Sequence, residues 1–414
     1  MLRVLSTPVL YALELTPACN NRCVGCPNAF LESGQGQGRQ GGGVEPLGFA
    51  EWRSVLDKLV PHAQRFKLTG GEPTLHLEFQ SIVEYIDVLG VEFVVFTNGR
   101  WPDSASLLDT LANTRWLVGF LVSLHGAHAG SHEAFTGVPG SFEETLENTR
   151  RAVGRGITVT VSTVLTRHNL DEVAAIAELA ERLGAHHVVF NRFLGADTDG
   201  IAPLSPDLAQ AVRDIAALRR QGCAVRFGNC IPQCFIPNDS SGCLAGVAYC
   251  AVDPWGNVRP CTHSSLIAGN LLEQSLEEVW FSSAMEDFRG AISPLCHRCQ
   301  AFVICHGGCK ALAMEQGLEV DPLARPADGA AVSAPQPFSF HPDHRPLGRF
   351  VVRKEERGLV LLRGNQVLLV RNEAAPLLAM LDGRTSLLEI QQRFGSSSLS
   401  LIGTLYRRGL ISLQ

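Results

Sequence analysis

The sequence predicts an α/β protein on a largely parallel sheet, followed by a small cysteine-rich region and a basic C-terminal module. Three observations carry that expectation. Up to about residue 205, short apolar runs alternate with helical patterns of about 10–15 residues, the signature of βαβ units. The thirteen cysteines fall into an early group, 19–26, and a later one, 223–309. Composition then shifts to Pro and Ala over 321–346 before apolar periodicity resumes.

The bulk properties set bounds. With 414 residues, 45% hydrophobic and 18% charged, the chain has material for two or three domains. A net charge of −6 gives no case for a nucleic-acid partner. No run of about 18 uncharged apolar residues exists, so no membrane span is expected. The segment MLRVLSTPVLYALEL lacks the charge pattern and small-residue cleavage site of a secretory leader. A reducing cytoplasm is therefore expected, where clustered cysteines serve as metal ligands rather than disulfides.

In chain order, a strand over Val9–Leu15 enters Cys19, Cys23 and Cys26, spaced C-x3-C-x2-C. The glycine-rich stretch 33–43 lacks the strand before it and the helix within it that a phosphate cradle needs, so it reads as a flexible loop. A helix is expected over 49–59, then a strand over 65–68 running into Gly70-Gly71-Glu72. Paired glycines let backbone approach a ligand closely, and a neighbouring carboxylate can grip an ammonium. Further strands are expected over 93–96, 116–123, 158–164 and 187–190, with helices over 141–154 and 170–183. In parallel sheets, ligands gather at the carboxyl ends of the strands. The cysteine loop, Glu72, Thr97-Asn98, Ser123, Ser162 and Asn191-Arg192 all fall at or near such ends. His125, His128 and His132 lie in HGAHAGSHEAF without the spacing of a helical metal site, and are expected to be solvated loop residues.

Three thiolates are one short of a closed four-cysteine site, so a metal held by Cys19, Cys23 and Cys26 keeps an open position. That points to chemistry rather than to a structural staple. Leu13–Asn28, together with the downstream Gly70-Gly71-Glu72, resembles the cluster-binding loop and GGE motif of radical SAM enzymes. One departure is Gly25, where the family usually has an aromatic before its third cysteine. The resemblance implies a partial (β/α)6 TIM-like barrel over residues 8–205. It also implies a 4Fe–4S cluster on Cys19, Cys23 and Cys26, whose unique iron chelates S-adenosyl-L-methionine. Gly70, Gly71 and Glu72 would hold its methionine amino group. Ser123 and Ser162 would touch its ribose or carboxylate, or else simply satisfy backbone groups at the strand ends.

The later cysteines form Cys243-x12-Gly256-x4-Cys261, then Cys296-x2-Cys299-x5-Cys305-x3-Cys309, with a strand–turn–strand reading over 252–260. Paired C-x2-C units fit a zinc ribbon on spacing alone, but the full array resembles the SPASM extension of peptide-modifying radical SAM enzymes. That resemblance implies one or two auxiliary 4Fe–4S clusters. Cys243, Cys250, Cys261 and Cys309 would complete one. The second would use Cys296, Cys299 and Cys305, with Cys230 or Cys234, a non-cysteine group or an open iron as the fourth position. Cys223 is expected to be a buried structural thiol.

Residues 321–346 read as a linker. Beyond them, three apolar runs at 350–353, 359–362 and 367–370 suggest a β-meander, followed by helical patterns at 373–380, 386–394 and 399–408. From Leu347 onward there are ten Lys/Arg against five Asp/Glu, a net of +5. This arrangement resembles the RiPP-recognition element, a winged-helix-like module similar to the small PqqD chaperone of pyrroloquinoline quinone biosynthesis. The implied partner is the leader of a ribosomally made precursor peptide, bound by strand addition; a DNA-binding winged helix or an oligomerisation module are the plainer readings. The implied activity is radical modification of that peptide: a carbon–carbon or carbon–sulfur cross-link, or backbone excision. A reductase, flavodoxin or ferredoxin would donate the electron. The competing readings are a maturase of folded proteins, an enzyme of small-molecule haem-pathway type, and a non-catalytic zinc-ribbon binding protein.

Overall fold

The structure, a computed structural model, describes residues 4–28, 45–197, 199–228, 231–235, 242–325, 340–356 and 358–414. The glycine-rich stretch 33–43, Cys230 and most of the expected linker lie outside these residues. The chain divides into two compact units: one spans 7–332 and the other comprises 333–414 with Val4–Ser6.

Seven parallel strands carry the first unit: β1 (Leu10–Glu14), β2 (Arg65–Thr69), β3 (Glu92–Thr97), β4 (Leu117–Ser123), β5 (Val159–Leu165), β6 (His187–Arg192) and β7 (Val225–Phe227). They pair in sequence order, with helices between. The reason is visible in the burial pattern. In β2, Phe66 and Leu68 are fully buried while the alternate positions are only partly so. The helix Phe49–Leu59 covers the sheet with Trp52, Val55, Leu56 and Leu59, an apolar stripe at helical spacing. A slip of one residue would turn each strand's apolar set to the wrong face. β1 is buried at every position, as expected of a strand covered on both faces and flanked on both edges.

The flank of β1 opposite β2 is taken by β8 (Tyr249–Val252), also parallel, which continues into β9 (Asn257–Arg259) and β10 (Gly269–Asn270), both antiparallel. The strand–turn–strand expected at 252–260 is therefore present, as an extension of the same sheet. Asp253 shapes its turn by accepting the Trp255 and Asn257 N–H groups at 2.9 and 3.0 Å. The ten strands run β10-β9-β8-β1-β2-β3-β4-β5-β6-β7. The sheet thus continues past residue 205 in both sequence and space.

Two buried ion pairs join the sheet to the cysteine-rich region. Arg259 of β9 meets Glu14 at the end of β1, both almost wholly buried. Arg192 at the end of β6 makes a double hydrogen bond to Asp321, at 2.8 and 2.7 Å. This corrects the linker's start: Asp321 is buried and Leu323 packs in the core around Ile176 and Phe190. Local composition could not show this, because the partner of Asp321 lies 129 residues away.

In the second unit, β11 (Pro346–Gly348) pairs with β15 (Ile411–Leu413). A separate antiparallel meander is formed by β12 (Val351–Glu355), β13 (Gly358–Arg363) and β14 (Gln366–Val370). Helices Ala375–Leu378, Leu387–Phe394 and Ser397–Arg407 close a core of Leu361, Leu377, Ile390, Ile402 and Leu405. Ser386 and Glu389 cap the second helix reciprocally. Ser6 donates to Glu355 from its backbone and its hydroxyl, at 2.9 and 3.2 Å.

Candidate active site

The cysteine loop leaves the end of β1 and is held from several sides. On one side it meets the glycine pair after β2. Gly71 N–H donates to Thr16 carbonyl and Glu72 N–H to Ala18 carbonyl, each at 2.7 Å. A Cβ on Gly71 would stand 2.2 Å from the Ala18 oxygen, and one on Gly70, at φ +139°, would stand 2.6 Å from the Thr16 oxygen. Glycine is required at 70 and 71 by this close approach. On another side, Arg22 and Val24 N–H donate to the carbonyls of Thr136 and Phe135, at 2.8 and 2.9 Å. Arg100 donates to the Asn20 carbonyl at 2.6 Å and the Asn21 side chain at 2.8 Å, and pairs with Glu144 at 2.7 Å.

Glu72 is fully buried. Its Oε1 accepts from the hydroxyls of Thr74 and Thr97, and its Oε2 from Asn98 N–H at 2.7 Å. Burial pushes its carboxyl pKa up, against the pull of those donors. In this arrangement Glu72 braces the end of β3 against the glycine turn. Asn98 in turn reaches the cysteine loop, donating to Asn20 Oδ1 at 2.7 Å and approaching Cys19 Sγ at 3.8 Å. Cys19 is exposed but closely surrounded: desolvation raises its thiol pKa, the Asn21 N–H lowers it, and the nearby charges of Glu72 and Cys26 add to the rise. The first cysteine motif and the glycine–glutamate motif are thus in one place, as expected.

Gly25 adopts φ +59°. The place its Cβ would take lies 2.4 Å from Cζ of Phe193, in the loop after β6. The aromatic missing at position 25 is therefore matched by an aromatic ring supplied from another strand's end. Sequence order gave no signal for this, because the two residues are far apart in the chain.

Ser123 and Ser162 are neighbours in register on β4 and β5. Asn191 of β6 donates to Ser162 Oγ at 3.0 Å, so these three polar groups form one row at the carboxyl side of the sheet. On β2, Lys67 is half-buried, with its ammonium 4.7 Å from the Tyr249 ring and 5.9 Å from that of Phe96. Burial lowers its pKa to about 8.

The histidines differ from expectation. His125 and His132 are buried, not solvated, and Ala129–Thr136 is a helix. His132 Nδ1 accepts the His125 N–H at 3.1 Å, and His125 Nδ1 accepts the Val164 N–H at 3.2 Å. Burial depresses both pKa values, that of His132 to about 4, so both rings are neutral. They pack against Phe135 and Phe142 and support the helix whose last carbonyls hold the cysteine loop. The small residues around them hid this helical face. His128 is exposed as expected.

Among the later cysteines, Cys261 and Cys309 are buried in one cluster with Cys243 packed against it. Burial raises the Cys261 thiol pKa, and the charges of Cys309 and Cys243 raise it further. Cys250 lies fully buried on β8, where burial raises its pKa and the neighbouring charge is Arg289. Cys296 is raised to about 11, by burial first and then by Cys305, Cys234 and Cys299. Cys223, expected to be buried, is exposed in the turn after the helix Ser205–Arg220. Among the described residues, no three His, Cys, Asp or Glu side chains are drawn together as ligands of one metal ion. Both later neighbourhoods are rich in thiols, the donors that iron–sulfur clusters take.

The first unit thus carries three cysteines beside a glycine–glutamate turn at the carboxyl ends of a largely parallel sheet. Residues 13–180 match the radical SAM superfamily, and residues 243–300 match the SPASM iron–sulfur cluster-binding domain. Mycofactocin maturase MftC of Mycobacterium tuberculosis is 31% identical over 340 residues, 77% of this chain and 82% of that one. The AdoMet-dependent heme synthase of Methanosarcina barkeri is 27% identical over 345 residues, 76% of this chain and 94% of that one. In fold, Streptococcus suis SuiB bound to its precursor peptide SuiA is similar with a TM-score of 0.63 at 16% identity, over 77% of this chain and 76% of that one. The chain belongs to the radical SAM superfamily and carries a SPASM domain. It is a radical SAM enzyme that uses 4Fe–4S clusters and S-adenosylmethionine. Among the described residues, no helix is long and apolar enough to cross a membrane.

Proposed function

We propose that this enzyme is a maturase of a ribosomally made precursor peptide, with residues 347–414 recognising the leader. Cys19, Cys23 and Cys26 would hold the catalytic cluster, which when bound and reduced by one electron would supply a 5′-deoxyadenosyl radical by cleaving the sulfonium C–S bond of S-adenosylmethionine, with methionine as the leaving group. The chain's own residues do the positioning. The glycine pair admits the methionine end of the cofactor close to backbone, Glu72 keeps Thr97-Asn98 and the loop in register, and Glu72 Oε2 retains acceptor capacity for an ammonium. Ser123, Ser162 and Asn191 offer hydroxyl and amide groups to ribose or carboxylate. Phe193 stands beside Gly25 as an apolar wall for the adenine side. A reductase, flavodoxin or ferredoxin donates the electron.

The observation that carries the peptide reading is the second unit itself. It contains a three-stranded meander and three helices, and β12 is an edge strand with Val351 and Val352 exposed, which supports the reading. An extended leader can add to such an edge through backbone hydrogen bonds, with alternate side chains giving specificity. The net +5 from Leu347 onward favours an acidic leader. The fold neighbour SuiB was captured with a precursor peptide, which is in keeping with this reading. A small-molecule substrate is the second reading, favoured by the similarity to heme synthase. Binding of a candidate precursor to the full chain and to a chain lacking 347–414 separates them: the peptide reading expects affinity to fall at least tenfold on deletion, about 1.4 kcal/mol. Equal affinity removes the recognition role.

A further inference from the structure

We infer that Cys234 is the fourth thiolate of a second auxiliary 4Fe–4S cluster, completing the set of Cys296, Cys299 and Cys305. The array of the sequence leaves this set one ligand short, since no cysteine follows Cys309. Cys309 itself belongs with Cys261 and Cys243. Within this sequence a further cysteine donor would come from upstream, the alternatives being a non-cysteine ligand or an open iron.

The structure places an upstream segment at the site. Gln233, buried at 3% exposure, donates its N–H to Cys305 Sγ at 3.4 Å, and Cys234 is the next residue. Arg325 N–H donates to Cys234 Sγ at 3.1 Å. The segment is anchored on both sides of these contacts. Ile231 packs in the same core as Leu323, and Asp321 accepts the N–H groups of Leu323 and Cys309 while pairing with Arg192. The position of Cys234 is thus set by buried packing rather than by a loose loop. Within the run, Cys299 N–H donates to the Cys296 carbonyl at 3.1 Å and Cys305 N–H to the Ala301 carbonyl at 2.8 Å, so the chain turns back on itself beside the Gln233–Cys234 segment.

Four thiols of this kind suit an iron–sulfur cluster, each losing its proton to solvent as its sulfur binds iron. Backbone N–H donors to cysteine sulfur, as from Gln233 and Arg325, are a recognised means of setting a cluster's potential. Cys250 is not a competitor for this site, because it lies fully buried on β8, in the strand paired with β1. The inference concerns the metal site and does not rest on the peptide being the substrate.

The test uses the full chain loaded anaerobically with 57Fe, comparing the parent with Cys234→Ala, Cys234→Ser, Cys230→Ala and the exposed control Cys223→Ala. Three clusters correspond to about twelve irons, at about four each. Cys234→Ala is expected to lose about four irons, or to keep them with one iron in four of that cluster changed in its Mössbauer spectrum. Cys234→Ser, near-isosteric and chosen in case the alanine variant does not fold, is expected to retain iron but to show one oxygen-ligated site. Uncoupled cleavage of S-adenosylmethionine, which reports the first cluster, should persist in both. Parental iron content and spectra in the Cys234 variants overturn the assignment. So does an equal loss in Cys223→Ala, or a loss confined to Cys230→Ala.

Discussion

The two cysteine regions of the first unit are built by opposite means. The loop at 19–26 is local: three thiols on one short segment, clamped by hydrogen bonds from the glycine turn, the helix Ala129–Thr136 and Arg100. The later site is assembled from distant pieces: Cys234, the 296–305 run and Asp321 meet through buried contacts and an ion pair to β6. A local motif can be recognised from spacing, whereas an assembled one becomes visible only when the chain has folded. The difference also predicts how each fails. Breaking the loop should cost S-adenosylmethionine cleavage without costing stability, and breaking the buried contacts behind the assembled site should cost auxiliary iron and stability together.

The sharpest version of that contrast is to replace Cys19, Cys23 and Cys26 with Ala together. Formation of 5′-deoxyadenosine should fall to background, while auxiliary iron and the thermal unfolding profile stay near parental. Loss of all iron would show that the two regions are not independent. The converse experiment is Asp321→Ala, which removes the carboxylate paired with the buried Arg192. Breaking such a pair costs about 3–5 kcal/mol, so thermal stability and auxiliary iron should drop together. Asp321→Leu combined with Arg192→Met should recover only part of the stability, since the apolar pair removes the buried charge but leaves the Cys309 and Leu323 N–H groups without their acceptor.

A smaller effect is expected at Lys67, which belongs to neither cysteine region. Its folded pKa is lowered by burial to about 8 from an ordinary 10.5. Between those values the unfolded chain holds a proton that the folded chain has released, so stability rises with pH through that window. Below about pH 8 both states are charged and burial of the ammonium is a net cost. Lys67→Met should therefore stabilise the protein at pH 7, by about 1 kcal/mol after allowance for partial solvent screening. The gain should shrink as pH approaches 10. A gain independent of pH would show that packing, not charge, is responsible.

Much of this was legible before folding. The alternation of strands and helices, the first cysteine motif and the glycine pair were all readable, because each depends on residues near one another in the chain. Helix 141–154 agrees residue for residue with its apolar pattern. The burial of His125 and His132 was not legible: helix Ala129–Thr136 is built from small residues whose periodicity is weak, and its burial comes from Phe135 and Phe142. Arg100 was passed over because its partners Asn20 and Asn21 precede it by about 80 residues. Asp321 reads as linker in sequence because prolines and alanines follow it, whereas a distant arginine holds it in the core.

The central claim, a peptide maturase with its own recognition unit, is tested most directly by mass spectrometry of a candidate precursor, a short peptide with an acidic leader. The precursor is incubated with reductant, S-adenosylmethionine and either the full chain or a chain ending at residue 346. The account predicts that the full chain changes the precursor's mass in step with 5′-deoxyadenosine, and that the truncated chain keeps its iron and uncoupled cleavage but modifies at least tenfold less. Equal modification by both chains would contradict the recognition role of 347–414. An unmodified precursor with a small molecule consumed instead would contradict the peptide assignment.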